Sequence, residues 1–285
     1  MRENMNTRRV EKIIDGQATS DGAGVELVRM IGQPELMDLD PFLLLDAFRS
    51  DNPNDYVAGF PEHPHRGFET VTYLLNGRMR HRDNAGNEGV IEPGGIQWMT
   101  AGRGIVHSEM PEQEDGLLAG FQLWINLPAA HKMTAPAYQE HDAAQIPLET
   151  RDGTQIRVIS GKTSRGTLGP VVQPLTDPLY LDVTLAPGIE FEETLAAQHN
   201  AFIQVIDGVV SVAAGDQPPV QIGRDQLAVL GTGERIVVHN EDQSSRFLLV
   251  AGKPLNEPVA RAGPFVMNTE VELRQAFSDY QRGEF

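Results

Sequence analysis

His63-Pro64-His65-Arg66-Gly67-Phe68-Glu69 and, further along, Ile105-Val106-His107-Ser108-Glu109-Met110-Pro111 decide how this chain is read. In an extended strand alternate side chains share one face. His63 and His65 therefore point the same way, and so do His107 and Glu109. Two such strands, brought together by a fold, can surround one metal ion. Three neutral imidazoles and one carboxylate suit Fe(II), Mn, Co, Ni or Cu and leave positions open for substrate or oxygen. A solitary histidine is more often a packing or surface group, and His81, His131, His141 and His199 are read that way. His63 and His65 differ because imidazoles two apart on one face would repel when charged.

The intervening sequence supplies short strands and breakers. Thr70 to Leu75 is β-branched and apolar. Asn76-Gly77 is a strong hairpin signal, with Arg78 to Arg82 as the return strand. Asp83-Asn84-Ala85-Gly86 and Pro93-Gly94-Gly95 turn the chain again, and Ile96 to Thr100 is strand-like. Gly102 and Gly104 fit a tight bend better than a phosphate cradle. Ala119 to Leu127 is a buried strand. Strands and turns at this spacing indicate an all-β sandwich or barrel.

His63-Pro64-His65-Arg66-Gly67-Phe68-Glu69-Thr70-Val71 together with Gln97 to Pro111 resembles the pirin family of bicupins. Asp40-Pro41-Phe42-Leu43-Leu44-Leu45-Asp46 and Gly263 to Thr269 resemble the same family. The resemblance covers most of the chain. It implies a bicupin of two β-sandwich or jelly-roll barrels. It also implies one non-haem metal per chain, iron(II) first, held by His63, His65, His107 and Glu109. Some family members open flavonols with dioxygen, and others act as nuclear co-regulators. Glu69 competes for the carboxylate role, since His-x-His followed by a glutamate at this distance is the usual cupin pattern. The pirin pattern takes Glu109, and Glu69 is then a group that holds an imidazole N–H. Arg66 and Arg103, beside the ligands, are either structural partners of a buried carboxylate or anchors for an anionic substrate.

Composition narrows the classes. The chain has 285 residues, enough for two domains. A formal net charge of −17 argues against direct nucleic-acid binding or an anionic membrane surface. With no cysteine, thiolate chemistry and disulfides are excluded. Met1-Arg2-Glu3-Asn4 lacks the apolar core of a leader, and no run approaches a membrane span, so a cytoplasmic location is expected.

Residues 1–135 are read as the metal-binding cupin domain and residues 150–285 as a second cupin without an intact site, plus a C-terminal helix. Residues 129–150 read as a connector. Laying Asp207-Gly208 on Asn76-Gly77 puts Thr194 and Ala196 where His63 and His65 stand, while His239 and Glu241 keep the His-x-Glu spacing. Thr269 and Glu272 form a capping-box pattern, ahead of an apolar face of Leu273, Ala276, Phe277 and Tyr280.

Three functions fit. A quercetin 2,3-dioxygenase-type oxidoreductase would bind a flavonol 3-hydroxyl at the metal, with Glu109 as base, and consume oxygen. A metal- or redox-dependent interaction protein would show a protein partner sensitive to metal state. A cupin isomerase would turn over a small polar substrate without oxygen.

Overall fold

The computed structural model describes residues 6–214 and 217–285. The leader-free reading of Met1 to Asn4 lies outside them. The chain folds as two compact units, each built on one seven-stranded and one four-stranded antiparallel sheet. The all-β bicupin expectation is met. No helix among the described residues is long and apolar enough to cross a membrane.

The unit bearing the histidine motif comprises Gln17–Ala143 and Leu255–Phe285. The other takes Ala144–Pro254 and the described residues up to Gly16. This differs from contiguous domains at 1–135 and 150–285. The reason is strand pairing. Val10–Asp15 pairs with Gln226–Leu230 in the second unit's large sheet. The C-terminal helix, Glu270–Gln281, packs in the first unit against Phe265–Met267. Its capping box forms as read: Thr269 Oγ1 accepts from the Glu272 N–H, and the Glu272 side chain accepts from the Thr269 N–H. Leu273 and Ala276 are buried, whereas Phe277 and Tyr280 remain partly exposed.

Asn76-Gly77 does not close a hairpin. Phe68–Asn76 pairs with Ile96–Thr100 and Leu118–Asn126 in the seven-stranded sheet. Met79–Asp83 pairs with Ile105–Pro111 and Glu88–Ile91 in the four-stranded sheet. Gly77 is thus a corner where the chain passes between layers. Its φ of 82° favours glycine, and a Cβ there would stand 2.7 Å from Leu118. The connector also holds more structure than expected. Ala137–His141 is the edge strand of the large sheet, paired with Ile96–Thr100. Lys132 is 1% exposed.

Candidate metal centre

The strands Phe60–His65 and Ile105–Pro111 are antiparallel neighbours, with His107 directly opposite His63 and Ile105 opposite His65. Alternation does the rest. Along the second strand Ile105, His107 and Glu109 are buried while Val106 and Ser108 are less so. The three imidazole rings meet with centroids 4.5 Å (His63 to His107), 4.7 Å (His63 to His65) and 5.0 Å (His65 to His107) apart. One nitrogen from each lies within 4.8 Å of the others, the one such cluster of potential metal ligands among the described residues.

This donor set fits a metal. The His63 Nδ1–H donates to the Pro61 carbonyl at 2.8 Å, which leaves Nε2 with its lone pair. His65 Nδ1 and both ring nitrogens of His107 are buried without a hydrogen-bond partner among the described residues. Orphaned buried polar atoms cost about 1–3 kcal/mol each, and a cation would satisfy them. Burial, reinforced by the charges of His107 and His63, drives the His65 imidazole well below its ordinary value. Burial takes His107 down to about 4 despite the opposing charge of Glu109. Both are therefore neutral, as ligation requires.

Glu109 stands beside the cluster, its Oε2 4.0 Å from His107 Nε2. Thr72 Oγ1 donates to one carboxylate oxygen at 2.9 Å and Gln122 Nε2 to the other at 2.8 Å. Burial pushes this carboxyl up. The neighbouring imidazoles and the two hydrogen bonds outweigh it, holding the group below the usual range and ionised. Glu69 is placed differently. It sits on Phe68–Asn76, where it accepts from Thr100 Oγ1 at 2.6 Å, and it is not part of the three-imidazole cluster.

Several functional neighbours are not legible in the sequence. Gln122 and Trp124 share a face of the strand Leu118–Asn126, and Trp124 Nε1 donates to Gln122 Oε1 at 3.4 Å. The indole meets His65 edge-on at 5.2 Å. The one available signal is a glutamine inside an otherwise apolar run. Arg66 takes the structural reading: 4% exposed, it donates to the Arg103 carbonyl at 2.5 Å and to Asp279 Oδ2 at 2.6 Å. Its guanidinium lies 4.2 Å from the centre of the Phe285 ring. Arg103 is exposed. A cavity of about 600 Å³ opens onto His63 and His65, walled by Phe60, Gln122, Trp124 and Arg261.

In the second unit the residues expected to be a remnant site face outward. Thr194, Ala196 and Glu241 are exposed and His239 is partly so. The strands fix the true equivalents. Glu109 pairs with His81, four residues beyond Gly77; Val212, four beyond Gly208, pairs with Val238. Val238 and Ile236 thus occupy the places of Glu109 and His107. Ile236 pairs with Glu193, which takes the place of His63, and Leu195 that of His65. Ile236 and Val238 are fully buried in the apolar core. Glu193 is held by Arg151 at 2.6 Å and by the Ser164 amide at 2.7 Å.

Comparison with known proteins agrees with this architecture. The Pirin family model matches residues 24–125, and that of the Pirin C-terminal cupin domain matches residues 180–285. A pirin-like protein of Caulobacter vibrioides is 55% identical over 99% of this chain and 100% of its own length. A Pseudomonas aeruginosa protein provisionally named a quercetin 2,3-dioxygenase is 47% identical, covering 97% of both chains. The crystal structure of quercetin 2,3-dioxygenase from Acinetobacter baumannii superposes with a TM-score of 0.88 at 32% identity, covering 98% of this chain and 99% of that one.

Proposed function

Because the chain belongs to the pirin family, we propose that it is a mononuclear metal oxidoreductase that opens flavonol-like aromatic substrates with dioxygen. His63, His65 and His107 hold the metal in this reading, with Glu109 as fourth ligand and base. The observation that carries it is the cluster itself: three imidazoles whose nitrogens converge, with the buried carboxylate of Glu109 beside them and His63 and His65 at the wall of an aromatic-lined cavity. Ligand cavities run to about 300–1,000 Å³, so this one can hold a three-ring substrate.

A divalent ion here, iron(II) first and Mn, Co, Ni or Cu as alternatives, supplies a Lewis acid for an enolate oxygen and a redox centre for the reaction with oxygen. The protein supplies the rest. Glu109 takes the proton of the substrate hydroxyl. Thr72 and Gln122 each occupy one lone pair of its carboxylate, fix its orientation, and leave a second lone pair on each oxygen for that proton. Trp124 and Phe60 line the cavity that receives the substrate.

Elemental analysis of the purified protein, followed by oxygen uptake with quercetin, tests the reading. One divalent metal per chain and flavonol-dependent oxygen consumption are expected. Full metal occupancy with no oxygen uptake across a panel of flavonols would reject it.

A further inference from the structure

Two arginines line the cavity, and they differ. Arg29 is consumed: it donates to Asp46 at 2.7 and 2.8 Å and to Asp21 at 2.8 Å. Arg261 forms no ion pair among the described residues. Its Nη1 donates to the Leu43 carbonyl at 2.9 Å, and its guanidinium lies 4.8 Å from the centre of the Trp124 ring. With Nη1 engaged and the plane braced on the indole, the Nε–Nη2 edge keeps its two parallel N–H donors. That edge matches the two oxygens of a carboxylate. The other end of the arrangement leads to the reacting centre, since the same indole touches His65 and bonds through Gln122 to Glu109.

We propose that Arg261, braced on Trp124, selects planar aromatic substrates that carry a carboxylate at the end remote from the three imidazoles. This deepens the dioxygenase reading and rests on it for the position of the reacting end. Asp21 and Asp46 are both paired with Arg29, Asp38 also lies within electrostatic reach of Arg261, and Glu62 stands on the exposed rim, so among the described residues lining the cavity Arg261 is the cation left to meet an incoming anion. In a chain this acidic, an uncommitted guanidinium in the cavity wall is a selective feature.

The probes are 3-hydroxyflavone and 4′-carboxy-3-hydroxyflavone. Binding to the metal-loaded protein is measured by calorimetry without oxygen, and turnover by oxygen uptake. The wild type should bind the carboxylated probe about tenfold more tightly than the neutral one, as expected for one charge-assisted contact. In Arg261→Gln the ratio should fall to near one, and in Arg261→Lys it should recover in part. The ratio of kcat/KM values should follow. Equal binding of the two probes by the wild type, or an unchanged ratio in folded Arg261→Gln, would overturn the inference. The two readings fail separately. Arg261-dependent preference in binding without any turnover removes the dioxygenase and keeps the subsite. Turnover whose preference ignores Arg261 does the reverse.

Discussion

Glu69 and Glu109 are both buried, and what holds each one separates their roles. Glu109 is flanked by His107 and fixed by Thr72 and Gln122. Glu69 accepts from Thr100 on the neighbouring strand. Losing a general base commonly costs about 10²–10⁴ in rate, and losing a group that supports a ligand about 10–100-fold. Glu109→Gln should therefore nearly abolish flavonol-dependent oxygen uptake, with Glu69→Gln still active, when rates are compared at equal metal occupancy. The opposite ranking would reverse the assignment. The histidines yield a pH prediction. In the folded, metal-free protein His107 titrates near 4, whereas in the unfolded chain it titrates near the ordinary value of about 6.5. The unfolded state thus takes up the proton first. Stability is fully present above about pH 6.5 and falls as pH drops toward 4, by up to about 1.4 kcal/mol per unit for each such imidazole. Urea titrations of chelator-treated protein should show this slope, and His107→Gln should flatten it. At this scale the meeting of His63, His65 and His107 was legible because strand alternation converts spacing into a shared face. Gln122, Trp124 and Arg261 were not, because their place depends on pairings between strands distant in sequence.

At the scale of elements, corners between the two layers organise the site. Gly67 forms one of them, between the strand that carries His65 and the strand that carries Glu69. Its φ is 89°, and a Cβ would come within 2.0 Å of the Val266 carbonyl oxygen. Lys132 ties this corner down. Its Nζ donates to the carbonyls of Gly67 at 2.7 Å and Val266 at 3.0 Å and to Asn126 Oδ1 at 2.6 Å. Burial lowers the lysine to about 8, against the weaker opposing charges of Glu257 and Glu272. Its desolvation is thus a cost that removal recovers in part, while three acceptors lose their donor. Lys132→Met should destabilise the fold by about 2–4 kcal/mol, read as a lower midpoint in urea at unchanged slope. A midpoint equal to wild type would show the lysine to be dispensable. The sequence hid this because a lysine among alanines and a proline looks like a solvated linker. Asn76-Gly77 misled for a related reason: it correctly announces a turn, but a local signal does not say whether the strands it joins share a sheet.

Across the whole molecule, the chain uses one architecture twice and fills it differently. The corner at Asp207-Gly208 repeats the one at Asn76-Gly77, as the sequence indicated: Asn200–Asp207 lies in the large sheet and Val209–Ala214 in the small one. The remnant His239-x-Glu241, by contrast, dissolved in the structure. A strand has a period of two, so a slip of one residue moves every side chain to the other face. The insertion before His239 makes that slip, and similarity of letters cannot reveal it, whereas pairing with Val212 and Ser211 does. The interior positions equivalent to His107 and Glu109 carry Ile236 and Val238, whose atoms cannot ligate, and Glu193 is already held by Arg151. Metal content should accordingly be one ion per chain. His63→Ala, His65→Ala and His107→Ala should each strip it from folded protein, because two imidazoles and a carboxylate hold a divalent ion far less tightly than three imidazoles and a carboxylate. His239→Ala should leave it unchanged. Elemental analysis after chelation of loosely held ions decides: two ions per wild-type chain, or full metal in all three alanine variants, would place the site elsewhere.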